Sequence, residues 1–314
     1  MVAPSAPLCG FLNLHKDQGW TSHDCVAKVR RLLRLKKVGH GGTLDPRATG
    51  VLPIALGAAT RLLPYLPTRK AYRGTIRLGL TTSTDDLDGV IQSETPAAHL
   101  TLDAIVPHLA QFQGQFSQIP PRYSAIQVQG QRLYDLARDN REFVVPSRSV
   151  EVYGLEVVAW QGGDAPELTV DIRCGAGTYI RSIARDLGAS LGVGGTLAHL
   201  IRTESSGFKL EDSLTLDTLQ AQIQEGTFQP LTPARFLDHL PTVYLDPLQA
   251  QGWHQGKKLP LADLSDQGIG PDVGPWVRVL GPGGQGLGVG EVRGGEMPCL
   301  KPQVVLPEQV LSPE

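Results

Sequence analysis

The sequence predicts an α+β fold, and three observations carry that prediction. Two segments alternate in polarity with period two. Two others carry an apolar stripe at helical spacing. The two kinds of segment do not follow one another in the regular βαβ rhythm of a doubly wound sheet.

The first alternating segment is "AYRGTIRLGL". Tyr72, Ile76 and Leu78 share one face, and Arg73, Thr75 and Arg77 share the other. In "ELTVDIRC" the apolar face is Leu168, Val170, Ile172 and Cys174. Thr21 to Lys37 is predicted to be helical. Val26, Val29 and Leu33 form its stripe, while Lys28, Arg31 and Arg34 lie off it. Thr21 or Ser22 can cap this helix, and Gly39, Gly41 and Gly42 are expected to stop it. "TYIRSIARDLGASLG" predicts a second helix with Ile180, Ile183, Leu187 and Leu191 on its stripe and Gly188 and Gly192 near its end. Gly226 to Pro241 is Pro-rich and loop-like, and "PWVRVLGPGGQGLGVGEV" beyond it reads as short strands and Gly-rich turns. A boundary is therefore expected near residue 240, with one domain over 1–240 and a small β-rich domain over 241–314.

Composition agrees with a globular chain that buries a real core. The 314 residues are 41% hydrophobic and 19% charged, and 36 Gly and 24 Pro point to many turns. Cys9, Cys25, Cys174 and Cys299 are far apart and form no CxxC pair. That argues against a zinc site or a disulfide scaffold and fits a reducing, cytoplasmic setting. The start "MVAPSAPLCGFLNLHK" lacks the charged onset and apolar core of a signal peptide, and Ala48 to Thr60 is too short to span a bilayer. No membrane partner is expected. The net charge of −2 hides an asymmetry. Residues 1–80 hold 13 Lys/Arg against 3 Asp/Glu, whereas the other 234 hold 16 against 28. A polyanion bound mainly by the N-terminal part would account for this, as would a solvated helix face.

Several motifs lose on context. "GPGGQG" matches GxGxxG, but a strand-like segment follows it where a dinucleotide site needs a helix, so a hairpin turn is the better reading. "CGAGTYIRS" lacks the spacing and the Lys of a phosphate loop. "TTSTDDLDG" clusters Asp85, Asp86 and Asp88 without the alternating ligands and distal Glu of a calcium loop, and reads as a polar turn. The eight His form no HxxxH or HExxH pair. Neither a metal nor a nucleotide cofactor is expected.

What remains is "VGHGGTLDPRATGVLPIALG", residues 38–57, with a single acid, Asp45. An isolated Asp-Pro is ordinarily a turn. Here glycines permit close backbone approach by a ligand. His40 can stack on a base or touch a phosphate, and the basic helix precedes it. The stretch "GHGGTLDPRATGVLPIALGAATRL" resembles the signature of the TruB family of pseudouridine synthases. "GWTSHD", "KAYRGTIRLGLTTSTDDLDG", "IPPRYSAIQVQGQRLYDLAR", "GTYIRSIARDLG" and "LIRTESSGF" match the family in order, so the resemblance runs over roughly residues 10 to 210. The segment "WVRVLGPGGQGLGVGEV" more loosely resembles the small PUA-like RNA-binding domain that ends bacterial members.

The resemblance implies the mixed-sheet catalytic domain of pseudouridine synthases and isomerisation of uridine-55 in the T-arm of tRNA, without cofactor. It makes Asp45 the catalytic carboxylate, ionised either to attack C1′ or to abstract a sugar proton. Arg181 is its matching cation; read alone, Arg181 is an exposed helix charge. Tyr72 matches the tyrosine that stacks on the target uracil and is a candidate for the late proton transfer from C5. Tyr179 and Leu200 match positions lining the uridine pocket, and His40 the histidine that fills space left by flipped bases. Residues 118–148, with Arg122, Arg132, Arg138, Arg141 and Arg148, resemble an RNA-gripping insertion. The implied partner is the tRNA T-stem-loop, bound by a monomer. The chain departs from the family at Asp17 (commonly Pro), Arg47 (Leu), Gln127 (Lys), Asn140 (Gly) and Ile201 (Arg). Two alternatives stand beside this reading: a guide-dependent synthase of a ribonucleoprotein, and a non-catalytic protein that binds or folds tRNA. A nucleotide-dependent enzyme is a third.

Overall fold

The computed structural model describes residues 8–124, 145–269 and 274–307, and the backbone of 127–128 and 131–132. The chain forms two compact units. One comprises Met1–Asp45, Val51–Pro67 and Ser205–Glu314, the other Pro46–Gly50 and Thr68–Glu204.

In the first unit, strand β1 (Gly10–Lys16) buries Phe11, Leu12 and Leu14 and lies beside β3 (Thr49–Leu56). The short β2 (Val38–His40) pairs antiparallel with β3 and sets His40 opposite Ile54. Between them, helix α1 (Ser22–Leu32) opens with a capping box: Asp24 N–H donates to the Thr21 hydroxyl at 3.0 Å, and Thr21 N–H to the Asp24 carboxylate at 3.1 Å. The helix ends at Leu32, five residues before the Lys37 expected from the stripe. Arg34 takes φ +53°, Leu35 N–H bonds the Arg30 carbonyl and Arg34 N–H the Arg31 carbonyl. This is a Schellman stop with arginine where glycine is usual, so no glycine in the sequence marked it.

The C-terminal segment builds its own five-stranded sheet in the order β14 (Thr242–Tyr244), β16 (Trp276–Leu280), β17 (Gly286–Arg293), β18 (Cys299–Val305) and β15 (Leu259–Pro260). Trp253 of the Pro247–His254 helix fills its core, fully buried, and its indole N–H donates to the Leu287 carbonyl at 3.1 Å. "GPGGQG" is the β16–β17 turn, closed by Gly281 N–H to the Gln285 carbonyl at 2.8 Å. Val289, Val304 and Leu306 join Phe11, Val51, Phe208 and Phe236 in one apolar cluster, in which the Phe208 and Phe236 rings stack 3.8 Å apart.

The second unit is α+β, as its alternation predicts. Its sheet runs from Thr49–Gly50 at the start of β3 to β12 (Gly195–Ser205), β4 (Lys70–Leu78), β11 (Glu167–Cys174), β10 (Arg148–Gln161) and β7 (Gly114–Gln118). The sheet is mixed: β12 is parallel to β3, and β11 is antiparallel to both β4 and β10. Tyr72, Ile76, Leu168, Val170 and Ile172 are buried on the predicted face. On the other face Arg73 and Asp171, one residue from the Tyr72–Ile172 pair, form a bidentate cross-strand pair at 2.8 and 2.7 Å.

Helix α2 (Leu102–Leu109) and helix α3 (Ile180–Ser190) belong to this unit. Ile180, Ile183 and Leu187 of α3 are buried as the stripe requires. Its end is a second Schellman stop, here with Gly192 at φ +73° and Val193 N–H on the Gly188 carbonyl at 3.2 Å. The chain returns so closely that a Cβ on Gly188 would lie inside the backbone of Gly194 and Gly195.

Two predictions follow from this packing. In an open helix, Gly→Ala gains about 1 kcal/mol. Gly188→Ala is expected instead to lose about 1–3 kcal/mol by overpacking, read as a lower urea midpoint; an unchanged or higher midpoint would refute the close approach. Cys9, Cys25 and Cys174 are buried and Cys299 is half-buried. Burial pushes the Cys25 and Cys174 thiols up to about 11. A thiol-disulfide reagent should therefore titrate Cys299 alone rapidly in the native protein, and all four thiols in denaturant.

Candidate active site

The loop from β2 to β3 carries His40 and Asp45, and its backbone is tied down at several points. Gly41 N–H donates to the Pro53 carbonyl at 2.8 Å. Gly42 N–H donates to His40 Nδ1 at 3.3 Å, so the neutral ring holds its proton on Nε2. The His40 ring meets His23 of α1 edge-on, with centroids 5.4 Å apart. The residue before Asp45 is the most constrained. Leu44 is buried; its N–H donates to Ser22 Oγ at 2.8 Å, and the same hydroxyl donates to the Leu44 carbonyl at 3.1 Å. Ser22 is thus no helix cap, a role Thr21 takes. It is a buried tether between the first turn of α1 and the Asp45 loop.

The turn before α1 is held by a buried cation. Lys16 is fully buried, and its Nζ donates to the carbonyls of Asp17 (3.0 Å) and Trp20 (2.7 Å). These bonds fix the turn in which Asp17 stands for the family's proline. Asp45 itself is half-buried at the point where the chain leaves the first unit. A shallow recess of about 500 Å³ runs along α1, lined by Gln18, Trp20, Asp24, Lys28 and Arg31 among others, and none of the predicted site residues lines it.

In the second unit, Tyr72 is 8% exposed on β4, opposite Ile172. Gly74 follows it on the same face. A Cβ there would meet Ile180 at 3.3 Å, Leu197 at 3.5 Å and Leu200 at 3.8 Å. The missing side chain thus lets the start of α3 and the leucines of β12 close over β4. Tyr72, Leu200 and α3 are brought onto one face of the sheet by this gap. Tyr179 is the N-cap residue of α3 and half-buried.

Arg181 departs from the exposed helix charge that the isolated residue suggests. It is 6% exposed. Its guanidinium donates to the Thr84 carbonyl and the Tyr123 carbonyl, both at 3.1 Å, and lies 3.5 Å from the Asp86 carboxylate. One helical turn on, Arg185 pairs with Asp85 at 2.9 Å. Burial raises the Asp85 carboxyl above its ordinary range, against the opposing pull of Arg185 and Arg181. "TTSTDDLDG" is therefore more than a polar turn: Asp86, 8% exposed, is folded in by Thr84 Oγ1 at 2.5 Å and Asp88 N–H at 3.1 Å and faces the buried arginine. The sequence reading missed Asp86. The available signal was two adjacent acids beside two arginines four residues apart on one helix.

The chain matches a known family. The model for the N-terminal domain of TruB family pseudouridylate synthases matches residues 30–180, and that for the tRNA pseudouridylate synthase B C-terminal domain matches residues 181–240. A protein of Acaryochloris marina named tRNA pseudouridine synthase B is 56% identical over 302 residues, covering 96% of this chain and all of the relative. Its namesake in Trichormus variabilis is 53% identical, covering 97% of this chain and 99% of the relative. This chain belongs to the TruB family. It is a pseudouridine synthase. Among solved structures, a chain of a Cbf5-Nop10-Gar1 complex aligns with TM-score 0.69 at 26% identity, covering 95% of this chain and 85% of that one.

The TruB departures can now be placed. Arg47 is bound by Asp88 at 2.8 Å. Ile201 sits in β12 opposite Thr49. The side chains of Gln127, Arg132, Arg138, Asn140 and Arg141 lie outside the described residues; Arg122 is described and exposed. Among the described residues no three His, Cys, Asp or Glu cluster as for a metal, and no helix is long and apolar enough to cross a membrane.

The Ser22 tether is directly testable. Ser22→Ala leaves the buried Leu44 N–H unpaired and is expected to lower stability by about 1–3 kcal/mol in a denaturant titration. No change would remove the tether from the account of the loop.

Proposed function

We propose that this TruB enzyme converts uridine-55 in the T-loop of tRNA to pseudouridine, acting alone. The observation that carries the reading is the 53–56% identity, across almost the whole chain, to proteins named tRNA pseudouridine synthase B. The alternative of a synthase working within a larger assembly has less support, because the chain of the Cbf5-Nop10-Gar1 complex shares 26% identity.

In this reaction the N1–C1′ bond breaks, the uracil turns, and C5 bonds to C1′. C5 loses a proton and N1 gains one, so the product is an isomer and nothing is oxidised. The base must first leave the folded loop, at a cost of a few kcal/mol. Stacking on Tyr72 returns about 1–3 kcal/mol, and Tyr179 and Leu200 wall the flipped base. Asp45 is the catalytic carboxylate. It must be ionised whether it attacks C1′ or takes a sugar proton, and Arg181 is its matching cation. Tyr72 is the candidate for the late proton transfer from C5. His40 occupies space that the flipped bases leave in the T-loop. The buried Arg181, held by carbonyls of Thr84 and Tyr123, supports this reading, since a preorganised charge needs no reorganisation when the reaction occurs.

The basic α1 face, with Trp20, Lys28 and Arg31 along one recess, suits an RNA backbone. Residues 241–314 act as a small PUA-like RNA-binding domain. In this reading the enzyme is a cytoplasmic monomer and needs neither metal nor nucleotide.

Asp45→Asn is expected to bind unmodified tRNA within a few-fold of the unaltered protein and to form no pseudouridine. Wild-type-like product from Asp45→Asn would remove Asp45 from its role. Purified protein should modify an unmodified tRNA transcript at position 55 without any added RNA. Failure to do so, with activity restored by a guide, would replace the stand-alone reading.

A further inference from the structure

Helix α3 starts without a side-chain cap. Its N-cap residue, Tyr179, is held instead by a residue sixty-one positions away in sequence. Gln118 ends β7 and is 1% exposed. Its carboxamide oxygen accepts from Tyr179 N–H at 2.9 Å, and its amide nitrogen donates to the Tyr179 carbonyl at 3.1 Å. One planar side chain thus grips both polar groups of one backbone residue, as a neighbouring strand would. The same short segment makes three more bonds to α3. Ser182 Oγ and Arg185 donate to the Ile119 carbonyl at 2.9 and 2.8 Å, and Arg181 donates to the Tyr123 carbonyl at 3.1 Å.

We propose that Gln118 is a positioning residue for the reaction: its carboxamide sets the Tyr179 backbone, and with it the direction of the Tyr179 side chain and the first turn of α3 that bears Arg181. The inference rests on the reading that Tyr179 lines the uridine pocket. The chemistry explains the residue type. A carboxamide presents a donor and an acceptor side by side at any pH, and a glutamate carboxylate lacks the donor. A protonated glutamic acid regains it. The consequence falls on rate more than on affinity. RNA is gripped over a broad surface, whereas a displacement of about 1 Å at the reacting base costs on the order of 100-fold.

The test compares Gln118→Leu, Gln118→Glu and Tyr179→Leu with the unaltered enzyme on an unmodified tRNA transcript. Single-turnover rates at saturating enzyme are read against Kd from filter binding, after circular dichroism has checked the fold. Gln118→Leu is expected to slow the reaction by about 10–100-fold with Kd changed by less than threefold. Gln118→Glu is expected to be slow at pH 8 and to recover relative to the unaltered enzyme as the pH falls to 6. If Gln118→Leu fails to fold, the pH recovery of Gln118→Glu decides the matter. Tyr179→Leu keeps the backbone bonds and separates the two claims. A slow Tyr179→Leu beside an unimpaired Gln118→Leu overturns the positioning role alone. A Tyr179→Leu protein that reacts at the normal rate overturns the pocket reading and the inference with it. A Gln118→Leu defect confined to Kd, or a Gln118→Glu rate ratio flat with pH, also overturns the proposal.

Discussion

Taking the Arg181 guanidinium out of water demands acceptors from the protein itself, since a buried charge left unpaired costs several kcal/mol. Much of the second unit is organised around that demand. The Thr84 and Tyr123 carbonyls come from two loops that the Asp85–Arg185 pair and the bonds of Gln118 and Ile119 also tie to α3, and Asp86 adds a carboxylate that is itself held by Thr84 and by Asp88 N–H. The helix reaches this position because glycines remove material where chains cross. Gly74 admits Ile180 and Leu200 over β4, and Gly188 admits the returning backbone of Gly194 and Gly195. A charge held by fixed dipoles keeps its direction.

The Asp45 loop meets the opposite problem. A Gly-rich segment loses rigidity, because glycine has the most conformational freedom to surrender. The restraint is supplied from outside the glycines. Ser22 holds Leu44 at both backbone groups, Pro53 holds Gly41, His40 holds Gly42, and Lys16 closes the turn that starts α1. The "GWTSHD" segment and the "GHGGTLDP" segment are therefore one mechanical part.

The same economy appears at Gln118. A carboxamide replaces a strand neighbour for Tyr179, so one side chain ties the end of β7 to the helix of the buried arginine. Regular secondary structure supplies the sheet face. Single hydrogen-bonding side chains such as Ser22, Asp86 and Gln118 then fix backbone or charge at individual positions.

The sequence by itself determined the α+β class, the faces of β4 and β11, the stripe of α3 and the hairpin at "GPGGQG". Each depends on polarity at a local period, which burial of one face imposes directly on the residues. It also determined the family, through ordered motifs that the 56% identical relative bears out. The end of α1 was not legible, because its Schellman stop uses Arg34 and the local signal was a glycine that is not there. Tertiary structure alone decided that Arg181 is buried rather than solvated, that Asp86 is its neighbour rather than a turn residue, and that Ser22 and Gln118 bind backbone far away in sequence. These are pairings between distant segments. Periodicity within a segment carries no information about them, since the same polar residue satisfies itself equally well with water until the packed chain removes that choice.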